Sequence, residues 1–446
     1  MKPFLTCVVL IATAGSLLGI CIPVIASIPQ RQSAQAKTNI TSSSSASRLQ
    51  QLVDQAWQIV EENYVDPTFN GLDWQHIREE VQSSHYTSSE EVYAAIRAML
   101  SQLHSPATRL LTPQQFAEFE REVTGQPHIG VGLPELLSLD IDETTRQLTI
   151  VTPAPNSSAD EAGLLPGDRV VAIGSVSTDG MDLGDAAMRL RGSEGSTVQL
   201  TIQRDNSTFH VVLTRREIRP VPAVQARLET TWEGRQIGYI SLHQFTSSSP
   251  QQLREALERF QEADGFVLDL RNNPGGSVAA LQEIAGFFLG KTLIGTSAER
   301  TGTTELRSTK AQITNKPLVI LVNQGTASAA EWLAGTLQDS ERAVVVGVPT
   351  FGKGLIHNFL PLADGAVIAV TTGQSSTISG HEILGAGITP DVRVEMASPL
   401  LSSTITVASR SDTQYRQAIE QLIMRTARPS PVATIRGRTI ALQQIE

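Results

Sequence analysis

Residues 318–357 read LVILVNQGTASAAEWLAGTLQDSERAVVVGVPTFGKGLIH. An apolar strand at the start of this stretch gives way, through a turn of small residues, to a helix; a second apolar run at 343–348 leads to Lys353 between two glycines. Strands alternating with helices imply α/β layers in which the apolar strands are covered by helices. The same reading sets Ser328 at the mouth of a helix and allows Lys353 to come near it.

A serine hydroxyl needs a base, and a lysine amine can serve if its charge is disfavoured. Lys353 is flanked by Phe351, Leu355 and Ile356, apolar neighbours of the kind that disfavour charge. Free backbone N–H groups at a helix start can hold a developing oxyanion, and Ala329 N–H is the nearest donor. Two plainer readings stand beside this one: Ser328 as an ordinary helix cap, and Gly-Lys-Gly as a surface turn. Residues 347–354, GVPTFGKG, also approach the phosphate-loop pattern, but Gly354 stands where the magnesium-binding hydroxyl belongs.

Ser328 in its GTAS turn, Asp339 in LQDSERA and Lys353 in TFGKG together resemble the serine-lysine core of the C-terminal processing peptidases, tail-specific proteases that carry a PDZ domain. The resemblance implies a crotonase-like α/β catalytic core, Ser328 as nucleophile, Lys353 as general base and Asp339 in a supporting part. Four residues after the lysine the family places a glutamine that holds it; this chain has His357, which can hydrogen-bond there and can also titrate. Upstream, the strand-like GFVLDL is followed by RNNPGG. By resemblance Gly276, ahead of Gly275, supplies the second oxyanion donor, while Asp269 and Arg271 read as a salt-bridged turn brace rather than a catalytic pair. The run 385–394, GAGITPDVRV, is family-like and is expected to close the sheet.

Working outward, residues 126–217 hold short strand-like runs (IGVGLPELL, RQLTIVTPA, DRVVAIGSV, TVQLTIQR, FHVVLTR) and one helix at 183–190, the pattern of a small, partly open barrel. Gly130-Val131-Gly132-Leu133 resembles the carboxylate-binding loop of PDZ domains, and GLLPGDRVVAIGSV their internal signature. Converging N–H groups with an open sheet edge would take a peptide's free C-terminus as an added strand, with Leu133 and the helix near Met188 lining a pocket for small apolar terminal side chains. The PDZ module is also expected to mask the active site when no substrate is bound. Residues 48–125 read as an amphipathic helix ending at Asp66-Pro67, with further helices near 74–81, 89–102 and 114–123, the last capped by Thr112 and Pro113. His76, His85 and His104 lack metal-ligand spacing.

The chain of 446 residues opens with one lysine and an uncharged apolar run, a secretory leader with cleavage after Ala26 or Ala36, or an uncleaved anchor close to a membrane. Cys7 and Cys21 both lie in this leader, so the mature chain is expected without disulfides. A Ser-rich tether at 37–47 and a C-terminal helix and tail at 401–446 complete a multidomain α/β chain whose catalytic core spans 218–400. The net charge of −10 and the absence of basic runs with interleaved aromatics argue against nucleic acid. No cofactor or metal is expected; the partners would be protein or peptide substrates with a free C-terminus, and the location the periplasm or thylakoid lumen. A non-catalytic PDZ adaptor is the alternative from another class, with nucleotide hydrolysis behind it.

Overall fold

A computed structural model describes residues 45–427, apart from 125, 135–136, 143–144, 220, 396–408 and 410. The leader, Cys7, Cys21, both cleavage positions, most of the tether and the tail from 428 lie outside the described residues.

The stretch quoted above lies in a six-stranded sheet ordered Val224–Thr230, Gln236–Leu242, Gly265–Asp269, Leu318–Val322, Val344–Gly347, Val392–Arg393. The first two strands form an antiparallel hairpin and the rest run parallel. GFVLD and LVILV are buried at every position, because both faces of the sheet are covered. Period-two alternation divides their side chains. Leu268, Ile320 and Val322 meet the helices Ser249–Arg259, Val278–Leu289 and Ala329–Asp339. Val267, Val319 and Leu321 meet Tyr415, Ala418, Ile419 and Leu422 of the C-terminal helix Thr413–Ala427. The family-like run at 385–394 closes the sheet through Val392–Arg393, as expected.

A second, antiparallel sheet is absent from the sequence reading. Its long strand Val367–Ser376 pairs on one edge with Leu355–Pro361 and on the other with Arg109–Leu111 and Leu293–Glu299, which Gly302–Arg307 extends. The helices Ser45–Asn63 and Ser89–Ser101 pack on it through Val53, Trp57, Ile96 and Met99 against Leu110, Ile368 and Val370, and Trp74–Ser83 packs on those two helices. Helix Pro113–Val123 starts where the sequence places it, with Gln115 N–H donating to the Thr112 hydroxyl at 3.3 Å.

The PDZ-like module is a sheet ordered Leu139–Ile141, Leu148–Ile150, Arg169–Ile173, Thr197–Arg204, Ser207–Thr214, with Val176–Ser177 on the third strand. A short pair, His128–Gly130 with Arg216–Ile218, joins its entry and exit. The run IGVGLPELL is a strand only as far as Gly130; Gly132, at φ +89, turns the chain, and Leu139–Ile141 follows as a strand that alternation over so short a run does not signal. Among the described residues no helix is long and apolar enough to cross a membrane.

Candidate active site

Two turns at the carboxyl ends of neighbouring parallel strands build one side of the site. Asn323 closes the first: its side chain accepts from Gly325 N–H at 3.0 Å and Asn272 N–H at 2.9 Å, and donates to Asn272 Oδ1 at 2.8 Å. The Thr326 hydroxyl donates to Leu270 C=O at 2.8 Å, and Ala327 N–H to Asn273 C=O at 2.9 Å. Ser328 then takes φ 55°, ψ −122° before the helix Ala329–Asp339 begins. A residue with a side chain reaches that region only when its surroundings impose it, at a cost of about 1–3 kcal/mol. An ordinary cap needs no such strain.

The second turn is braced beneath. Arg271 is buried and bonded to Asp269 at 2.6 Å, as the turn-brace reading expects, and also to Asp412 at 2.9 Å and Gln414 at 3.2 Å beside the C-terminal helix. Gly275 and Gly276 divide the work. At φ +95°, Gly275 lies so close that an added Cβ would sit 2.7 Å from Ser328 Cβ and 2.9 Å from Ala329 N. Its own N–H is engaged by Asn273 Oδ1 at 2.9 Å. Gly276 packs against the Phe245 carbonyl instead, and among the described residues its N–H and that of Ala329 have no acceptor. The two unengaged donors thus belong to Ala329, next to Ser328, and to Gly276, next to the Gly275 that packs on Ser328.

Glu331 is the residue the sequence reading missed. Fully buried on the first turn of the helix, it accepts from Ser328 N–H at 2.8 Å, the Thr350 hydroxyl at 2.5 Å, Gly352 N–H at 2.6 Å and Lys353 N–H at 2.8 Å. One carboxylate therefore ties the serine turn to the lysine turn. Burial pushes its carboxyl up to about 7, and these four bonds oppose the rise. The signal was in the sequence as the spacing S-A-A-E, a capping-box pattern in which the glutamate reaches back to the N-cap backbone.

Lys353 follows in a non-helical turn that runs on into the strand Leu355–Pro361. A phosphate loop must open a helix, so the nucleotide reading fails on context as well as on Gly354. Lys353 lines a cavity of about 560 Å³ together with Thr350, Gly352, Leu384, His357 and, from the PDZ sheet, Asp140, Thr149 and Arg169. Its Nζ lies 3.7 Å from Asp140 Oδ2. His357 is half-buried, with Nε2 covered and without a hydrogen-bond partner. Burial, then Arg109 and Lys353, depress its basicity to about 3, so the titration that the sequence allowed is shut off near neutral pH. Asp339 does not join the group. It ends the helix that Ser328 opens, about 16 Å away at 1.5 Å per residue, and accepts from Ser379 N–H at 2.8 Å.

In the PDZ-like module, Gly130, Val131, Gly132 and Leu133 line a small recess with His128, Ala187, Leu190 and Arg191. Met188 is 49 % exposed and points elsewhere, because the buried face of this helix is formed by Leu183, Ala186, Ala187 and Leu190. The Val131 carbonyl accepts from Ala159 N–H at 2.9 Å, and Gly132 C=O from Ala154 N–H at 2.8 Å, which turns the loop's carbonyls inward. Among the described residues the N–H groups of Val131, Gly132 and Leu133 have no acceptor. A Cβ on Gly132 would fall 2.0 Å from the Ser157 side chain, so only glycine fits.

Residues 236–394 match the model of peptidase family S41, residues 149–204 that of the PDZ domain, and residues 47–83 that of the tricorn protease C1 domain. The chain is 42 % identical over 378 residues to the carboxyl-terminal-processing protease of Synechocystis sp., covering 84 % of this chain and 86 % of that protein. It is 38 % identical to the chloroplastic carboxyl-terminal-processing peptidase 2 of Arabidopsis thaliana, over 76 % of this chain and 67 % of that one. Among solved structures, a photosystem II D1 C-terminal processing protease superposes with a TM-score of 0.69 at 33 % identity, over 78 % of this chain and 93 % of its own. These similarities set the adaptor alternative aside in favour of a serine-type peptidase whose PDZ and peptidase domains fit protein or peptide substrates. The chain belongs to the carboxyl-terminal-processing proteases of peptidase family S41.

Proposed function

We propose that this protein is an exported endopeptidase that holds the free C-terminus of a substrate in its PDZ loop and cuts upstream through an acyl-enzyme on Ser328. The observation that carries the reading is the pair of unengaged N–H groups, Ala329 next to a strained Ser328 and Gly276 next to the Gly275 that packs on it. In the reaction, the Lys353 amine takes the serine proton as Oγ bonds to the scissile carbonyl carbon. The two N–H groups receive the oxyanion, and the lysine returns the proton to the departing amine. Water, deprotonated by the same lysine, then frees the acyl group. His357, neutral and lining the lysine's cavity, occupies the family glutamine's position beside the base without a hydrogen bond to it among the described residues. Glu331 keeps the two turns in register.

The three unengaged donors at Val131, Gly132 and Leu133 suit a terminal carboxylate, and Ala187 and Leu190 suit a small apolar last side chain. We assign residues 1–36 to a leader, 37–47 to a tether, 48–125 to a helical entry region, 126–217 to the PDZ domain, 218–400 to the catalytic core and 401–446 to a C-terminal helix and tail. Export to a periplasm or thylakoid lumen rests on the leader, with support from the chloroplastic relative.

The test compares the chain from residue 37 with its Ser328→Ala form on one unstructured polypeptide, with the C-terminus free or amidated. The substitution is expected to lower cleavage by at least about 10³-fold, and amidation to lower it about tenfold or more. Cleavage that survives Ser328→Ala ends the nucleophile assignment; indifference to amidation ends the tail assignment alone.

A further inference from the structure

The C-terminal helix Thr413–Ala427 lies beyond residues 236–394, which match the peptidase family, yet its first turn reaches under the turn that carries Gly275 and Gly276. Arg271 opens that turn, and its side chain is only 6 % exposed. Nε and Nη2 donate to Asp269, at 3.0 and 2.6 Å. Nη1 donates to Asp412 Oδ1 at 3.1 Å and to Gln414 Oε1 at 3.2 Å, while Nη2 also meets Asp412 Oδ2 at 2.9 Å. Every nitrogen of the fork is engaged, and among the described residues the acceptors of Nη1 come from the C-terminal segment.

Gly275 and Gly276, at φ +95° and +132°, have no side chain of their own to restrain them, so the direction of Gly276 N–H is set by what holds the two ends of the turn. Beyond Gly276, Ser277 N–H donates to Phe245 C=O at 2.8 Å. At the other end Asp269 moves with Arg271, being two residues away on the same chain, and cannot fix it by itself. Asp412 comes from a separate element: its Oδ1 also accepts from Tyr415 N–H at 3.0 Å, and Tyr415, Ala418, Ile419 and Leu422 anchor that helix on the parallel sheet. Fully buried Gln414 donates through Nε2 to Val394 C=O at 2.9 Å, and Val394 N–H to Gly347 C=O at 2.8 Å, at the end of the strand from which the chain runs on to Lys353. The start of this helix thus ties the glycine turn to the strand that leads to the lysine. Glu331, on a helix covering the opposite face, ties the serine turn to the lysine turn.

We propose that Asp412, with Gln414, is a positioning residue for the reaction: by fixing the Arg271 guanidinium from the C-terminal helix, it holds the glycine turn so that Gly276 N–H meets the oxyanion formed when Ser328 attacks. This rests on the acyl-enzyme reading above. Asp412 itself touches no substrate. The Gly276 donor bonds more strongly as the carbonyl oxygen gains charge, so a misplaced donor slows the chemical step more than it weakens substrate binding.

The test uses the chain from residue 37 with Asp412→Asn, and with Thr413→Ala as the neighbouring control. Asparagine caps a helix as well as aspartate does, so the first variant keeps the cap and removes the charge facing Arg271. Thr413→Ala removes a bond to Glu395 C=O and leaves the partners of Arg271 in place. Three quantities are read: kcat, KM and the inhibition constant of a peptide aldehyde, whose hemiacetal with the reactive serine places an oxyanion between the two N–H donors. Asp412→Asn is expected to lower kcat and aldehyde affinity together, each about tenfold, with KM within about twofold. Thr413→Ala should leave all three within about twofold. Should Asp412→Asn fail to fold, Gln414→Met, which keeps the volume and the ion pair, decides instead, with about threefold expected in kcat and in aldehyde affinity. An unchanged kcat, a kcat loss without the matching aldehyde loss, or an equal loss in Thr413→Ala overturns the positioning role while the peptidase stands. Cleavage that persists in Ser328→Ala overturns the acyl-enzyme reading and this proposal with it.

Discussion

The turn that carries Ser328 is held by backbone and amide groups of its own domain: Asn323, Thr326 and Ala327 all bond to residues 270–273 of the adjacent turn. The turn that carries Lys353 has its backbone fixed by Glu331, but its side chain ends at Asp140 of the PDZ sheet. On the proposed reading, the nucleophile and its oxyanion donors are thus completed when the catalytic core folds. The proposed base, Lys353, instead faces a cavity shared with a second domain. A protease built this way holds its serine turn within one domain and sets its lysine side chain at the boundary with another.

Replacing the carboxylate that joins the two turns would break this contrast most severely. In Glu331→Gln one amide oxygen must serve four donors, and the new NH2 faces N–H groups. The expected outcome is a fall in kcat/KM of about 10²–10³-fold and a loss of about 2–4 kcal/mol in urea unfolding. Activity within threefold of the parent (about 0.7 kcal/mol) would mean the turns keep register without it.

Gly275→Ala attacks the rigid half alone. The new methyl would lie 2.7 Å from Ser328 Cβ on a backbone at φ +95°. A kcat reduced about 10–100-fold, KM unchanged, with about 1–3 kcal/mol of stability lost, is the expected result. A change in KM alone would place the strain in substrate binding and not at the nucleophile.

The mildest probe is His357→Gln. The parent histidine is held to about 3 in the folded chain against about 6.5 when unfolded. The unfolded state therefore binds more protons between these values, and the stability tied to the neutral ring is intact above about 6.5 and drains away as pH falls toward 3. Because the residue is only half-buried, the expected loss is about 1–3 kcal/mol. Melting temperatures at pH 7.5 and 4.5 should differ less in the glutamine variant, with activity at pH 7.5 within about threefold of the parent. Identical pH dependence in both would show that other groups govern acid stability.

Much of the layout was legible because apolar runs, glycines and spacing act locally. LVILV and GFVLD announce covered strands, and GTAS, NPGG and FGKG announce turns whose positions the fold preserves. What escaped has a common cause. The antiparallel sheet that carries His357 pairs strands from three distant parts of the chain; Leu139–Ile141 is too short to show its alternation. Asp339 drew attention by lying between two marked residues in sequence, but a helix carries it away from Ser328. Glu331 was marked by its capping spacing, although nothing local reveals that the same carboxylate also collects Thr350, Gly352 and Lys353.

Arg271 finds its second carboxylate at Asp412, 141 residues further along the chain. During synthesis the turn below the active site therefore carries a cation that is only partly neutralised until those 141 further residues have been made. The Thr413–Ala427 helix must then arrive to cover the exposed face of the parallel sheet. Completion of the enzyme is thereby deferred until that helix has been made, and a chain released before it lacks the piece that seals its centre.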